Sequence, residues 1–119
     1  MKTHQELIVW QKSIGLVKSV YEVTSSFPDT EKFGLTNQMR RCAVSIPSNI
    51  AEGNARKGDQ EFKQFLKIAY GSSAELETQL LIAKELKFIS QDDFGKVQVP
   101  LVEIRKMLNT LIGIITTKS

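Results

Sequence analysis

The sequence predicts an all-α protein, an antiparallel up-down-up-down four-helix bundle that forms a single domain over residues 1–119. Apolar residues recur at alternating spacings of three and four along four segments, which is the period of an amphipathic helix. Capping and stop signals separate these segments by short connections, so consecutive helices are expected to run antiparallel. The chain has 119 residues, of which 41% are apolar and 24% charged, as in one ordinary globular domain.

The first predicted helix covers residues 4–26 and carries two apolar rows. Thr3 and Glu6 have the spacing of a capping box at its start, and Pro28 follows its end. We assign the buried seam to Leu7, Trp10, Ile14, Val17, Tyr21 and Thr24. The second row is Val9, Leu16, Val20, Val23 and Phe27. Two apolar rows favour burial on two sides of the helix, one of them in a subunit interface. The alternative is that both rows form one wide stripe facing the core.

The second predicted helix covers residues 35–57, with Thr36 as its amino-terminal cap and Gly58 as its stop. Its apolar face consists of Met39, Ala43, Ile46 and Ile50. Pro47 lacks a backbone N–H and its ring presses on the carbonyl four residues earlier. We therefore predict that this helix is kinked at Pro47 or briefly broken over residues 45–47.

The third and fourth predicted helices cover residues 59–89 and 91–116. The third has an apolar seam of Phe62, Leu66, Ala69, Ser73, Leu76, Leu80 and Ala83. The fourth begins with a capping box at Ser90 and Asp93, and Pro100 favours a bend or restart. Its seam is Phe94, Val97, Leu101, Ile104, Leu108, Leu111 and Ile115, with further apolar residues outside it at Val99, Val102, Ile112 and Ile114.

The net charge of +3 comes from one segment. Residues 33–58 contain four cations and a single acid, Glu52, whereas the remaining chain has 12 cations and 12 acids. Glu52 and Arg56 are four residues apart and can pair. Phosphate contacts add up when a basic surface repeats in an assembly, so this segment is a candidate nucleic-acid surface, with solvated surface charge as the alternative. The candidate nucleic-acid-binding residues are Arg40, Arg41, Arg56 and Lys57.

The residues needed for catalysis or metal binding do not occur in a recognisable pattern. His4 is the only histidine, and Cys42 is the only cysteine and is predicted to be a small core residue. We therefore expect no catalytic residues, no metal site, no cofactor and no enzymatic activity. No apolar run reaches the roughly 18 residues of a membrane span, and the amino terminus lacks a signal core, so we expect a cytoplasmic protein without membrane contact.

The run from Phe33 to Gly53 reads FGLTNQMRRCAVSIPSNIAEG. It resembles the signature of the four-helix bundle proteins encoded in intervening sequences of bacterial 23S ribosomal RNA genes. The segments from Val9 to Lys12 and from Gly71 to Glu77 also look like that family. The resemblance extends over roughly residues 7–112, with Pro100 as a departure from the pattern.

This resemblance implies a ring-shaped homopentamer. A related branch, the accessory variability proteins of diversity-generating retroelements, implies binding to nucleic acid and to a reverse transcriptase. By resemblance, the candidate subunit-interface or structural residues are Ser48, Asn49, Glu52, Gly53, Glu75 and Glu77. Two functions stay open: a homo-oligomer that binds RNA or DNA backbone, and a protein-interaction scaffold or accessory subunit, for example of a reverse transcriptase.

Overall fold

Four α-helices make up most of the chain in a computed structural model that describes His4 and residues 7–118. They are α1 (Ile8–Thr24), α2 (Leu35–Ala55), α3 (Asp59–Glu85) and α4 (Gln91–Lys118), with a 3₁₀ turn at Asp29–Glu31. The described residues contain no strand, so the predicted all-α class is confirmed. None of the described helices combines the length and the apolarity needed to cross a membrane.

Each helix packs against two others. α1 contacts α2 and α4, and α3 also contacts α2 and α4, which is the arrangement of a four-membered bundle measuring 46 × 21 × 20 Å. Cys42 contacts Ser72, whereas Gly53, later in α2, lies against Phe62, earlier in α3. These two helices therefore run in opposite directions. The complete up-down-up-down order stays a prediction.

The buried face of α1 is the second apolar row rather than the predicted seam. Its buried residues are Val9, Ser13, Leu16, Val20, Val23 and Thr24, followed by Phe27 just after the helix. Within the predicted seam, Thr24 is buried, and Leu7, Trp10 and Val17 are half-buried against the core. Ile14 and Tyr21 are 44% and 43% exposed. The prediction is wrong for Ile14 and Tyr21, because both rows have helical spacing and spacing alone does not show which row faces the other helices.

The seams predicted for the other three helices are confirmed as the core. All four residues of the α2 seam and all seven of the α3 seam are buried. In α4, Phe94, Val97, Leu101, Ile104, Leu108 and Ile115 are buried, and Leu111 is half-buried. Burial of one large aliphatic side chain contributes roughly 1.5–3 kcal/mol, so this core is the main stabilising element of the bundle.

The start of α2 is capped differently from the prediction. Thr36 lies buried inside the helix, and Gly34 occupies the N-cap position. Oε1 of Glu31, in the preceding 3₁₀ turn, accepts a hydrogen bond from the backbone N–H of Leu35 at 3.2 Å. A carboxylate at a helix start accepts a hydrogen bond from a backbone N–H that has no partner within the helix. Its negative charge also interacts favourably with the helix dipole. The side chain that caps α2 therefore comes from the connection rather than from the helix.

Two lysines in left-handed conformation accompany the ends of α2 and α3. Lys57 has a φ of 61° just after α2, and Gly58, the predicted stop, is instead the N-cap residue of α3. Lys87 has a φ of 62°, and the backbone N–H of Phe88 donates to the carbonyl of Ala83 at 2.9 Å. This hydrogen-bond pattern closes a helix end, so α3 stops before the predicted residue 89.

Both internal prolines lie within continuous helices. α2 passes through Pro47 and α4 passes through Pro100, so neither helix is broken there. The kink at Pro47 stays a prediction.

One of the two predicted capping boxes can be located. The backbone N–H of Asp93 donates to Oγ of Ser90 at 3.1 Å, as expected for the start of α4. Thr3 and Glu6, the other pair, lie outside the described residues, and α1 begins at Ile8 rather than at residue 4.

Candidate nucleic-acid interface

α2 presents different residues to each neighbouring helix. Cys42 and Ser45 contact Ser72 on α3. Arg40 turns the other way and contacts Tyr21 on α1. The adjacent cations Arg40 and Arg41 consequently lie in different environments, although the sequence placed them in one group of candidate phosphate ligands.

Arg40 connects α2 to the end of α1. Its Nε donates to Oγ1 of Thr24 at 2.9 Å, and its Nη2 donates to the carbonyl of Tyr21 at 3.3 Å. The guanidinium carbon lies 4.6 Å from the centroid of the Tyr21 ring, within the range of a cation–π contact. Arg40 is half-buried, and these two hydrogen bonds use two of the five N–H donors of its guanidinium. The geometry therefore assigns Arg40 a packing role, although it stays a candidate for nucleic-acid contact.

Arg56 lies at the carboxyl end of α2 and has two partners. Its Nη2 is 3.1 Å from Oε2 of Glu52, which confirms the pair predicted from their spacing. Its guanidinium also lies 5.3 Å from the centroid of Phe65 on α3. Both partners of the ion pair are exposed, so the pair contributes only about 0.3–0.5 kcal/mol. Arg56 can therefore exchange Glu52 for another anion at little cost.

Arg41 and Lys57 are the exposed cations of this segment that pair with no described carboxylate. Arg41 lines an open groove of about 260 Å³ between α2 and α3, together with Gln38, Cys42, Ser45, Ser72 and Glu75. Lys57 lies in the connection to α3. Of the four predicted cations, these two are the most available to an external phosphate.

A network of short polar side chains joins α2 to α3 along this groove. The hydroxyls of Ser45 and Ser72 are 2.8 Å apart, and Sγ of Cys42 donates to the carbonyl of Ser72 at 3.0 Å. Nδ2 of Asn49 donates to the carbonyl and to the hydroxyl of Ser45, at 2.7 and 2.9 Å. Asn49, a candidate interface or structural residue, therefore holds Ser45 in place within its own chain.

The Cys42 thiol is protected from ionisation. Burial raises the pKa of Cys42 to about 11, and the nearby negative charge of Glu75 adds to the increase. The thiolate is the reactive form of cysteine, so Cys42 behaves as a packing residue at neutral pH. This agrees with its predicted place in the core.

Gly53 allows α2 and α3 to approach each other closely. A Cβ atom at this position would lie 2.6 Å from Cβ of Phe65 and 3.1 Å from Cδ1 of Phe62. Cβ atoms essentially never approach this closely, so a larger residue would force the helices apart. Gly53 thus has a packing role within the chain.

The two candidate carboxylates of α3 have different surroundings. Glu77 pairs with Arg105 on α4, since its Oε1 is 3.1 Å from Nη1 of that residue. Glu75 is exposed, and its Oε2 accepts a hydrogen bond from Nε2 of the buried Gln79 at 3.2 Å. Ser48 and Glu52 are exposed on α2. Of the six candidate interface or structural residues, three therefore remain exposed: Ser48, Glu52 and Glu75.

Arg105 is a structural residue that sequence reasoning missed. Besides Glu77, it contacts Ser73, because its Nε lies 3.1 Å from Oγ of that residue. Its guanidinium is also 4.9 Å from the centroid of Tyr70. Arg105 is the only arginine of the fourth predicted helix and follows the seam residue Ile104, which could have indicated a role between helices.

Comparison with known proteins gives the family. Residues 5–110 match the family described as "23S rRNA-intervening sequence protein". The chain belongs to this family. A crystal structure described as a protein with unknown function from the S23 ribosomal protein family, from Bacteroides thetaiotaomicron, has a TM-score of 0.79. It is 23% identical and covers 88% of this chain and 98% of that chain, a likeness that shows the fold alone. No curated protein matches.

Within this member of the 23S rRNA-intervening sequence protein family, much of the run that prompted the resemblance serves packing. Arg40 joins α2 to α1, while Cys42, Ser45 and Gly53 contact α3. Asn49 holds Ser45 in place within α2. Arg41 and Ser48 are exposed members of the same run. The run therefore combines residues that hold the bundle together with residues that are available to a partner.

Proposed function

We propose that this family member is a non-enzymatic, cytoplasmic homo-oligomer, pentameric as the resemblance implies, that binds RNA or DNA backbone through α2 and the connection after it. One observation carries the proposal. Residues 33–58 contain the whole net charge of the chain, and three of their four cations, Arg41, Arg56 and Lys57, are exposed. Such a local excess of positive charge attracts phosphate irrespective of base sequence.

Self-assembly is part of the proposal because one copy provides few contacts. Arg41 and Lys57 are separated by 16 residues. At 1.5 Å per helical residue, the part of α2 from Arg41 to its end at Ala55 is already about 21 Å long, so the two cations reach different phosphates. Each neutralised phosphate adds to the affinity and to its salt dependence. A symmetric assembly repeats the cations of residues 33–58 in every subunit, so that several weak phosphate contacts add up to measurable affinity.

Fluorescence anisotropy with labelled RNA and duplex DNA over a series of salt concentrations tests this function. We expect the double variant R41Q/K57Q to bind more weakly and to lower the slope of log affinity against log salt by about one for each lost contact. The matched control is K18Q/K67Q, which removes the same charge from exposed positions on α1 and α3. Absence of binding at low salt, or equal weakening by the control, would overturn the proposal.

A second candidate is a protein-interaction scaffold or accessory subunit, for example of a reverse transcriptase. The contacts of Arg40 with α1 and of Arg56 with Glu52 favour this candidate over nucleic-acid binding, because they leave two of the four cations less available to phosphate. Co-elution of the purified protein with a reverse transcriptase from a diversity-generating retroelement, without nucleic acid, would support this candidate. Co-elution only in the presence of RNA would instead favour the first.

A further inference from the structure

The groove between α2 and α3 is lined by polar side chains of both signs of charge. Its volume is about 260 Å³, and α2 contributes Arg41 and Ser45 to its lining while α3 contributes Ser72 and Glu75. No ion pair joins Arg41 to Glu75, and neither has another ion-pair partner among the described residues. The groove therefore has a guanidinium on one helix and a carboxylate on the other that do not neutralise each other directly.

The Glu75 carboxylate is held in place by a buried amide. Gln79, one turn later on α3, is only 5% exposed, and its Nε2 donates to Oε2 of Glu75 at 3.2 Å. Oε1 of the same amide is buried and has no hydrogen-bond partner in the part of the chain that the structure describes. Burial of an acceptor without a donor costs free energy, so buried polar groups are rarely left in this state. A leucine at position 79 would avoid that cost but would leave Glu75 unrestrained.

The hydroxyl groups of the groove are also fixed by neighbouring side chains. Oγ of Ser45 lies 2.8 Å from Oγ of Ser72, and Nδ2 of Asn49 donates to Oγ of Ser45 at 2.9 Å. The Cys42 thiol donates to the carbonyl of Ser72 at 3.0 Å. Polar groups that are already held by hydrogen bonds lose little freedom when a ligand binds. The lining of the groove is therefore ordered before any ligand arrives.

We propose that this groove binds a small zwitterion of the α-amino acid class. The ligand carboxylate lies against the guanidinium of Arg41, whose parallel N–H groups match the two oxygens of a carboxylate. The ligand ammonium group donates to Glu75, which accepts hydrogen bonds through its oxygens. A ligand with both charges a few atoms apart satisfies both helices at once. A simple anion would be repelled by Glu75, and a simple cation would be repelled by Arg41.

The size of the groove favours a small polar ligand. A volume of about 260 Å³ is below the range of about 300–1,000 Å³ that is typical of pockets for drug-sized ligands. Exposed ion pairs are individually weak, so the affinity comes from both charges and the fixed hydroxyls together, with a dissociation constant of about 1 mM or lower. All of the groove residues belong to one chain, so the inference does not depend on self-assembly. Because Arg41 is also a proposed phosphate contact, the zwitterion and nucleic acid would compete for it.

Heteronuclear NMR of the isotope-labelled full chain, titrated with glycine, L-serine and L-glutamine, tests the inference. The three probes have the same main-chain charges and differ only in their side chains. We expect saturable shifts of the amide signals of the groove residues, and we expect R41Q or E75Q to raise the dissociation constant by roughly tenfold or more. The matched controls K18Q and E22Q remove the same charges from exposed positions on α1 and should bind as the wild type does. Circular dichroism establishes that each variant remains helical.

Analogues that lack one charge test whether the ligand must be a zwitterion. N-acetyl-L-glutamine has the carboxylate without the ammonium group, and L-glutamine amide has the ammonium group without the carboxylate. Both should bind roughly tenfold more weakly than L-glutamine, or worse. An acetylated analogue that binds as well as L-glutamine would indicate an anion site at Arg41 alone. An amide that binds as well would indicate a cation site at Glu75 alone, and either result would overturn the inference.

Gln79→Leu distinguishes positioning of Glu75 from simple packing. Leucine removes the unpaired buried oxygen together with the amide that holds the carboxylate. We expect the urea midpoint to stay at or above the wild-type value, while the dissociation constant for L-glutamine rises by about threefold or more. A variant that unfolds at lower urea concentration but binds L-glutamine as the wild type does would overturn the positioning role of Gln79.

Two results would overturn the site as a whole. The first is the absence of saturable shifts with all three amino acids up to about 10 mM, a concentration well above the expected dissociation constant. The second is binding that R41Q and E75Q leave unchanged, or that K18Q and E22Q weaken equally, because the ligand would then lie outside this groove.

Discussion

Nε of Arg40 on α2 lies 2.9 Å from Oγ1 of Thr24 on α1, and the same hydroxyl donates to the carbonyl of Val20 at 2.7 Å. The hydroxyl of a buried threonine is thus satisfied both as donor and as acceptor. Removal of the arginine would leave the Thr24 oxygen without the N–H that it accepts from, so Arg40 supports the contact between the two helices.

Arg40 and its sequence neighbour Arg41 should respond differently to substitution. We expect Arg40→Gln to lower the free energy of unfolding by about 1–2 kcal/mol, because it removes a charge-assisted hydrogen bond and a cation–π contact. Arg41→Gln, at an exposed position, should change it by less than about 0.5 kcal/mol. Urea unfolding followed by circular dichroism measures both. Equal destabilisation by the two variants would contradict the packing role of Arg40.

Gly53 and Gly71 should respond with opposite signs to the same change. Gly53→Ala forces Cβ against Phe65, which destabilises the packing, whereas alanine has the higher helix propensity. We expect the packing cost to be larger, with a net loss of about 1–2 kcal/mol in unfolding free energy. Apart from neighbouring backbone of its own helix, nothing lies within 4 Å of a Cβ added at Gly71, and Gly71→Ala should stabilise α3 by about 0.5–1 kcal/mol. Thermal melting tests both, and a Gly53→Ala variant as stable as the wild type would show that the helices can separate without loss.

The ion pair of Glu77 with Arg105 should show measurable coupling. Its side chains are 40% and 24% exposed, so solvent screening limits the expected coupling between Glu77→Gln and Arg105→Gln to about 0.5–1 kcal/mol. A double-mutant cycle in urea measures it. The more exposed pair of Lys12 with Glu103 is the control and should give a smaller value that falls further in high salt.

The raised pKa of Cys42 predicts a loss of stability in alkaline solution. Its pKa is about 11 in the folded chain against an ordinary value of 9.0. The folded state therefore retains the thiol proton between pH 9 and 11, where the unfolded state loses it. Stability from the neutral thiol is complete below pH 9 and decreases as pH rises through this window, by on the order of 2 kcal/mol.

Comparison of the wild type with Cys42→Ala isolates this effect from other groups that titrate at high pH. The difference in unfolding free energy between the two proteins should be constant below pH 9 and should shift against the wild type up to pH 11. Slow reaction of the native thiol with a disulfide reagent at pH 8, and fast reaction in urea, would agree. Rapid native labelling would show that the thiol is accessible and more acidic.

Much of the helical architecture was predictable because it depends on local spacing. The seams of α2, α3 and α4 each have one dominant apolar row, and each row is buried as expected. α1 has two rows, and its core residues come mainly from the second row rather than from the predicted seam. The helix ends were less predictable, because Glu31 caps α2 from the preceding turn and two lysines, Lys57 and Lys87, adopt left-handed conformations.

The order of residues alone established four helices, the concentration of charge in residues 33–58 and the resemblance to the family, since these depend on neighbours along the chain. Which row of α1 faces inward, and why Arg40 packs while Arg41 stays exposed, depends on helices that are distant in sequence. The requirement for glycine at position 53 also depends on a distant helix, because a Cβ there would collide with Phe65 on α3. Such contacts form only when the helices pack together, and the spacing of residues along one helix does not show which residues of the other helices they contact.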